Sequence, residues 1–99
     1  MHIDLTGRTA LVTGSTQGIG EAIAAGLAGA GARVAVNGRD ARRAEESAAR
    51  LAERVPGSDV LPVAADVSTE EGASRVVDAL PRVDILVNNL GIFGSADPL

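Results

Sequence analysis

Residues Thr9 to Gly20 read Thr-Ala-Leu-Val-Thr-Gly-Ser-Thr-Gln-Gly-Ile-Gly, and the fold turns on how they are read. A short apolar run, Ala10-Leu11-Val12, stops at Thr13 and Gly14. Ser15, Thr16 and Gln17 lead to Gly18-Ile19-Gly20, after which an alanine-rich helical pattern begins. The pattern is strand, glycine turn, helix. A helix start reached in this way leaves backbone N–H groups unpaired and presents the positive end of the helix dipole. Without Cβ atoms in the way, a phosphate comes close to those groups. The stretch implies a nucleotide pyrophosphate site. A tight turn that binds nothing uses the same glycines, so the choice rests on residues further along the chain.

Outward from this turn, strands and helices alternate. The first helix is expected from about Ile19 to Ala30, with Ile23, Gly26, Leu27 and Ala30 on one face and Gly31 as its stop. A second strand, Arg33 to Asn37, ends in Asn37-Gly38-Arg39. Asp40 caps a second helix whose apolar stripe is Ala44, Ala48, Leu51, Ala52 and Val55. Its other faces carry Arg and Glu in salt-bridge spacing. Pro56-Gly57 ends it. A third strand, Val60 to Ala65, contains Pro62, which lacks the donor a central strand needs and places this strand at a sheet edge. Ser68 and Glu71 have the spacing of a capping box for a third helix, in which Ala73, Val76, Val77 and Leu80 share a face before Pro81. The fourth strand, Val83 to Asn88, is apolar at consecutive positions, as in a strand buried on both faces of a parallel sheet.

The order βαβαβαβ predicts an α/β fold: a doubly wound, Rossmann-type parallel sheet with strand order 3-2-1-4, incomplete as it stands. That order puts the proline-bearing strand at the edge. It also puts the glycine turn at the switch point between strands one and four, where such sheets bind ligands.

Composition narrows the function. The 99 residues suit one domain, and 45% hydrophobic content is that of a packed core. No apolar run approaches the roughly 18 residues that span a bilayer, and the amino terminus lacks a secretory h-region. Zero cysteines exclude disulfides, thiol catalysis and zinc–thiolate sites among these residues. The expectation is a soluble, cytoplasmic chain with no membrane partner. Net charge is −4, all nine basic residues are arginine and one residue is aromatic, which suits neither nucleic-acid backbones nor base stacking. His2, alone near the terminus, reads as solvated.

Three motifs now carry a resemblance to the short-chain dehydrogenase/reductase family. Thr13-Gly14-x-x-x-Gly18-Ile19-Gly20 resembles the family's cofactor loop, Asp66-Val67 the pair that meets the adenine ring, and Asn88-Asn89-Leu90-Gly91 its NNAG motif. Leu90 departs from the family's alanine. The resemblance covers essentially the whole chain, but only the amino-terminal half of a typical member. It implies a dinucleotide held by Gly14, Ser15, Thr16, Gln17, Gly18, Ile19, Gly20, Asn37, Arg39, Asp66, Val67, Asn88, Asn89 and Gly91. Ser15 and Thr16 are turn formers or phosphate ligands. NAD-preferring sites place an acid at the end of the second strand; here Asn37 stands in that place and Arg39 comes two residues later, with a guanidinium suited to a 2′-phosphate. The cofactor expected is NADP(H) rather than NAD(H), although Gln17 stands where NADP(H)-preferring relatives often have a basic residue.

The resemblance implies hydride transfer between nicotinamide and a carbonyl or alcohol, with a tyrosine as acid/base and a lysine beside it. This sequence contains neither tyrosine nor lysine, so no catalytic residue carries over. The 99 residues are expected to be inactive alone, a cofactor-binding portion of a larger domain. Their fourth strand and second sheet face would be left uncovered, favouring self-association, and homo-oligomers are expected. Two other readings remain: a free-standing nucleotide-binding half-domain without chemistry, and a shortened chain acting through its open sheet edge. A P-loop NTPase is disfavoured, since no Gly-Lys-Ser/Thr comes after the turn. A phosphorelay receiver needs acids where this chain has glycines.

Overall fold

The computed structural model describes residues 3–14 and 18–88. The elements are β1 (Thr9–Thr13), α1 (Gly18–Gly29), β2 (Arg33–Gly38), α2 (Ala41–Arg54), β3 (Val60–Ala64), α3 (Glu70–Ala79) and β4 (Ile85–Asn88). They form one four-stranded sheet in the order β3-β2-β1-β4, with every pair parallel. Thr9 to Val12 stand opposite Arg33 to Val36, and Ala10 to Thr13 opposite Ile85 to Asn88. The expected order and the edge position of Pro62 both hold. Pro62 stands in register with Val36, exposed on the outermost strand.

Alternation along the strands sorts the core into two faces. Ala10, Val12, Val34 and Val36 pack against α1 and α2 through Ala24, Ala25, Ala28, Ala48 and Leu51. Leu11, Ala35 and Val63 point the other way, against Val76 of α3 and Leu80, which caps that helix. The alanines of α1 allow its backbone to lie near the sheet, where bulkier side chains would hold it off.

The helix faces differ in part from the sequence expectation. In α1 the buried residues are Gly20, Ala24, Ala25 and Ala28, while Gly26 is exposed. The contact line is displaced around the helix because the smallest side chains, not the largest, sit against β1 and β2. In α2 Ala44, Ser47, Ala48 and Leu51 are buried and Ala52 is exposed. A serine takes an inner position there because α1 supplies it with a partner. In α3 Val76 and Leu80 are buried, but Ala73 and Val77 are not. Asp40 caps α2 as expected, its Oδ1 accepting from Arg42 N and Arg43 N. The cap of α3 is Thr69 rather than Ser68: its Oγ1 accepts from Gly72 N at 2.9 Å. Ser68 is drawn back onto Asp66 instead. The fourth strand starts at Ile85, two residues later than expected, with Asp84 at its foot bonded to Thr9.

Among the described residues, β4 has one neighbour and α3 alone covers its face of the sheet. Leu86 is 63% exposed and Val77 65%. The apolar strand expected to be doubly buried is thus only half covered.

Candidate functional site

Parallel strands bring their carboxyl ends to one edge of the sheet, and four of the expected site segments meet there. Gly14 comes directly after β1, Gly38 closes β2 ahead of Arg39, Asp66 lies two residues past β3, and Asn88 ends β4. Gly14 and Gly18 both have φ of 62°, the left-handed region that a side chain disfavours. An added Cβ at Gly18 would meet nothing within 4 Å, so backbone conformation, not crowding, calls for glycine there. The described chain resumes at Gly18 as the first residue of α1, whose opening N–H groups lack partners within the helix. Ile19 is 60% exposed in the first turn of α1, a large apolar side chain left for a ligand or solvent. Ser15, Thr16, Gln17, Asn89 and Gly91, named from the sequence, lie outside the described residues.

Thr13 joins the turn to β4. Its hydroxyl is 3.3 Å from the carbonyl oxygen of Val87 and 3.1 Å from Asn88 Oδ1, with the donor shared between them. Thr13 is 5% exposed, and this link holds the Gly14 end of β1 beside the Asn88 end of β4. The sequence marks Thr13 as the start of a motif but carries no sign of this bond.

At the ends of β2 and β3 the side chains are sorted differently from the sequence reading. The resemblance puts Asn37 at the ribose. In the structure its side chain is turned inward, 2% exposed, with Nδ2 donating to the carbonyls of Val63 at 3.0 Å and Ala65 at 3.1 Å. It fastens β3 to β2 because a buried amide needs partners, and the carbonyls of the neighbouring strand lie within reach. Half-buried Gly38 comes next, so neither position offers a carboxylate. Arg39 is exposed and makes no ion pair among the described residues. Asp66 stands near it. Asp66 Oδ1 accepts from Ser68 Oγ at 2.6 Å and Ser68 N at 3.0 Å, and these bonds, with a smaller contribution from the Arg39 charge, hold the carboxyl below its ordinary range. Val67 is half-buried and lines a groove between α3 and the sheet with Leu11, Thr13, Val76, Leu86 and Asn88.

Gly72 secures this corner. A Cβ on it would overlap the Asp66 carbonyl oxygen, so only glycine lets α3 close onto the Asp66 turn. No sequence pattern points to Gly72, which reads as one more residue of a helix.

The arrangement offers hydrogen-bond donors at a helix start, a cation at the end of β2 and a carboxylate at the end of β3, all along one sheet edge. A matching family model, short chain dehydrogenase, spans residues 8–98. The chain belongs to the short-chain dehydrogenase family. An oxidoreductase of Bacillus subtilis, YvaG, is 48% identical over 97 residues, covering 98% of this chain and 37% of that protein. The rhamnolipids biosynthesis 3-oxoacyl-[acyl-carrier-protein] reductase of Pseudomonas aeruginosa is 47% identical over 94 residues, covering 91% of this chain and 36% of that one. Among solved structures, L-sorbose reductase from Gluconobacter frateurii, complexed with NADPH and L-sorbose, superimposes with a TM-score of 0.84 at 43% identity. It covers 92% of this chain and 36% of the reductase. The chain therefore spans little more than a third of the length of these three relatives.

The described residues contain no cluster of three or more His, Cys, Asp or Glu side chains able to hold a metal. No helix among them is long and apolar enough to cross a membrane.

Proposed function

We propose that residues 1–99 form the amino-terminal, dinucleotide-binding portion of a single Rossmann domain, in a short-chain dehydrogenase that moves hydride between NADP(H) and a carbonyl/alcohol pair. The observation that carries this reading is the glycine turn at the switch point, entering α1 between β1 and β4 with Gly14 and Gly18 both at positive φ. The diphosphate sits on the first N–H groups of α1, flanked by Ser15, Thr16, Gln17 and Ile19. The adenosine end lies over the carboxyl ends of β2 and β3, with Arg39 on the 2′-phosphate and Asp66 and Val67 at the adenine. Asn88, Asn89 and Gly91 border the nicotinamide ribose. Solved relatives complexed with NADP or NADPH, from Pseudomonas aeruginosa (TM-score 0.80, 47% identity) and Gluconobacter frateurii, support this choice of nucleotide.

The cofactor supplies the hydride; these residues bind and orient it. With no tyrosine or lysine among them, these 99 residues do not hold the tyrosine–lysine pair that the resemblance implies. The reading also has the protein acting in the cytoplasm and, on the uncovered apolar face of the described sheet, as a homo-oligomer.

Calorimetric titration with NADPH, NADH and ATP tests the reading. NADPH is expected to bind more tightly than NADH, and ATP weakly. Equal affinity for the two dinucleotides would remove the NADP(H) preference, and no binding of either would remove the reading as a whole.

A further inference from the structure

Glu21 is a charged residue that the dinucleotide reading leaves without a role. It stands in the first turn of α1, three residues beyond Gly18. A lone carboxylate there would cancel part of the positive potential at the helix start and oppose an incoming diphosphate. The structure places two donors on it from α2. Arg50 Nη2 donates to Glu21 Oε2 at 2.7 Å, and Ser47 Oγ donates to the same oxygen at 3.1 Å. Ser47 is fully buried, the side chain of Glu21 is 23% exposed and that of Arg50 53%, so the tie runs from the seam between the helices out to its rim. Arg54 adds positive charge on the same side, and the bond to Arg50 leads the causes that hold the Glu21 carboxyl below its ordinary range. The helix supplying these donors begins directly after Arg39 and Asp40.

We propose that Arg50 is a positioning residue for dinucleotide binding: by pairing with Glu21 in the first turn of α1, it removes a negative charge from beside the diphosphate and fixes the start of that helix against α2. This inference rests on the dinucleotide reading above.

The test is titration of NADPH into the full-length protein and its variants at low and high salt. Arg50→Ala removes the ion pair from the Glu21 carboxylate and leaves it the Ser47 hydroxyl and the Arg54 charge. It is expected to weaken NADPH about three- to ten-fold at low ionic strength, and less at high salt, where partly exposed charges are screened. Adding Glu21→Gln to Arg50→Ala removes the offending charge and restores affinity to within about two-fold of the starting protein. Adenosine 2′-monophosphate, which lacks the diphosphate, binds all forms alike. A purely structural tie gives the opposite result: the double variant, with less of the tie left, binds no better than Arg50→Ala. That outcome, or loss of adenosine 2′-monophosphate binding in step with NADPH, overturns the proposal. Should Arg50→Ala fail to fold, Arg50→Gln, which keeps a side chain in the seam, serves in both arms. Absence of NADPH binding by the unaltered protein would overturn the dinucleotide reading itself, a result distinguishable from failure of the double variant to recover.

Discussion

On the proposed reading, the residue on which the choice of nucleotide rests is Arg39. It is exposed at the carboxyl end of β2, near Asp66, and the neighbouring positions 37 and 38 carry no acid that would repel a 2′-phosphate. Arg39→Ala is expected to weaken NADPH by about 1.5–3 kcal/mol, the range for hydrogen bonds to charged groups, and to leave NADH nearly unchanged. Paired titrations check this, and equal losses for both would remove the assignment. Gly72 acts on the same corner through sterics. Gly72→Ala forces α3 off the Asp66 carbonyl, with an expected cost of about 1–3 kcal/mol, as for other overpacked sites. Thermal melts read that loss, and adenine-nucleotide affinity should fall with it as Asp66 moves. The place of Arg39 directly after β2 is legible in the sequence, because the strand pattern and its glycine stop locate it. Gly72 is not, since its role is a close approach between segments that a string of letters does not bring together. Asn37 shows the same limit: its place at the end of β2 is readable, but not the two carbonyls that draw its amide inward.

Elements are legible to within a residue or two at most boundaries, because Gly31, Pro56-Gly57 and Pro81 punctuate the pattern chemically. Which side of each helix is buried is less so. Helical spacing marks a set of apolar positions, but the contact line depends on how closely the helix lies to the sheet. In α1, alanines rather than Ile23 or Leu27 occupy that line. Ser47 reaches an inner position of α2 through a partner on another helix, which spacing within α2 does not reveal. Leu51 is where its spacing puts it, and at 1% exposure it joins α2 to the larger core cluster. Leu51→Ala should cost about 2–5 kcal/mol in chemical denaturation, with little change in the slope against denaturant.

For the molecule as a whole, acid is the expected weakness. Asp4, Glu21, Asp66 and Asp84 all have carboxyls held below their ordinary values by hydrogen bonds, that of Asp84 chiefly by Thr9 N. A depressed carboxyl contributes its full stability above the ordinary pKa and loses it as pH falls through the depressed value. Melting temperature should thus be level near neutrality and decline as pH drops below about 4. Asp84→Asn should flatten part of that decline, which scanning calorimetry across acid buffers would show. The strand order itself is readable, since Pro62 demands an edge and alternating strands and helices demand a parallel, doubly wound sheet; the apolar run of β4 reads as a middle strand but stands at the rim of the described sheet, beside β1. What the letters do not reveal is how little among the described residues covers that run. With Leu86 and Val77 exposed, a protein of these 99 residues should associate as concentration rises, and sedimentation velocity should show Leu86→Glu suppressing it.

Pro62 then limits what such association can become. A strand edge accepts a neighbour only where it can offer amide hydrogens, and the β3 rim is broken at its midpoint by an imino acid. The sheet behaves like an atom of valence one. In a homo-oligomer joined along β4, two copies would turn only their proline-blunted rims outward. The accretion should therefore halt at a closed pair rather than lengthen into a fibre.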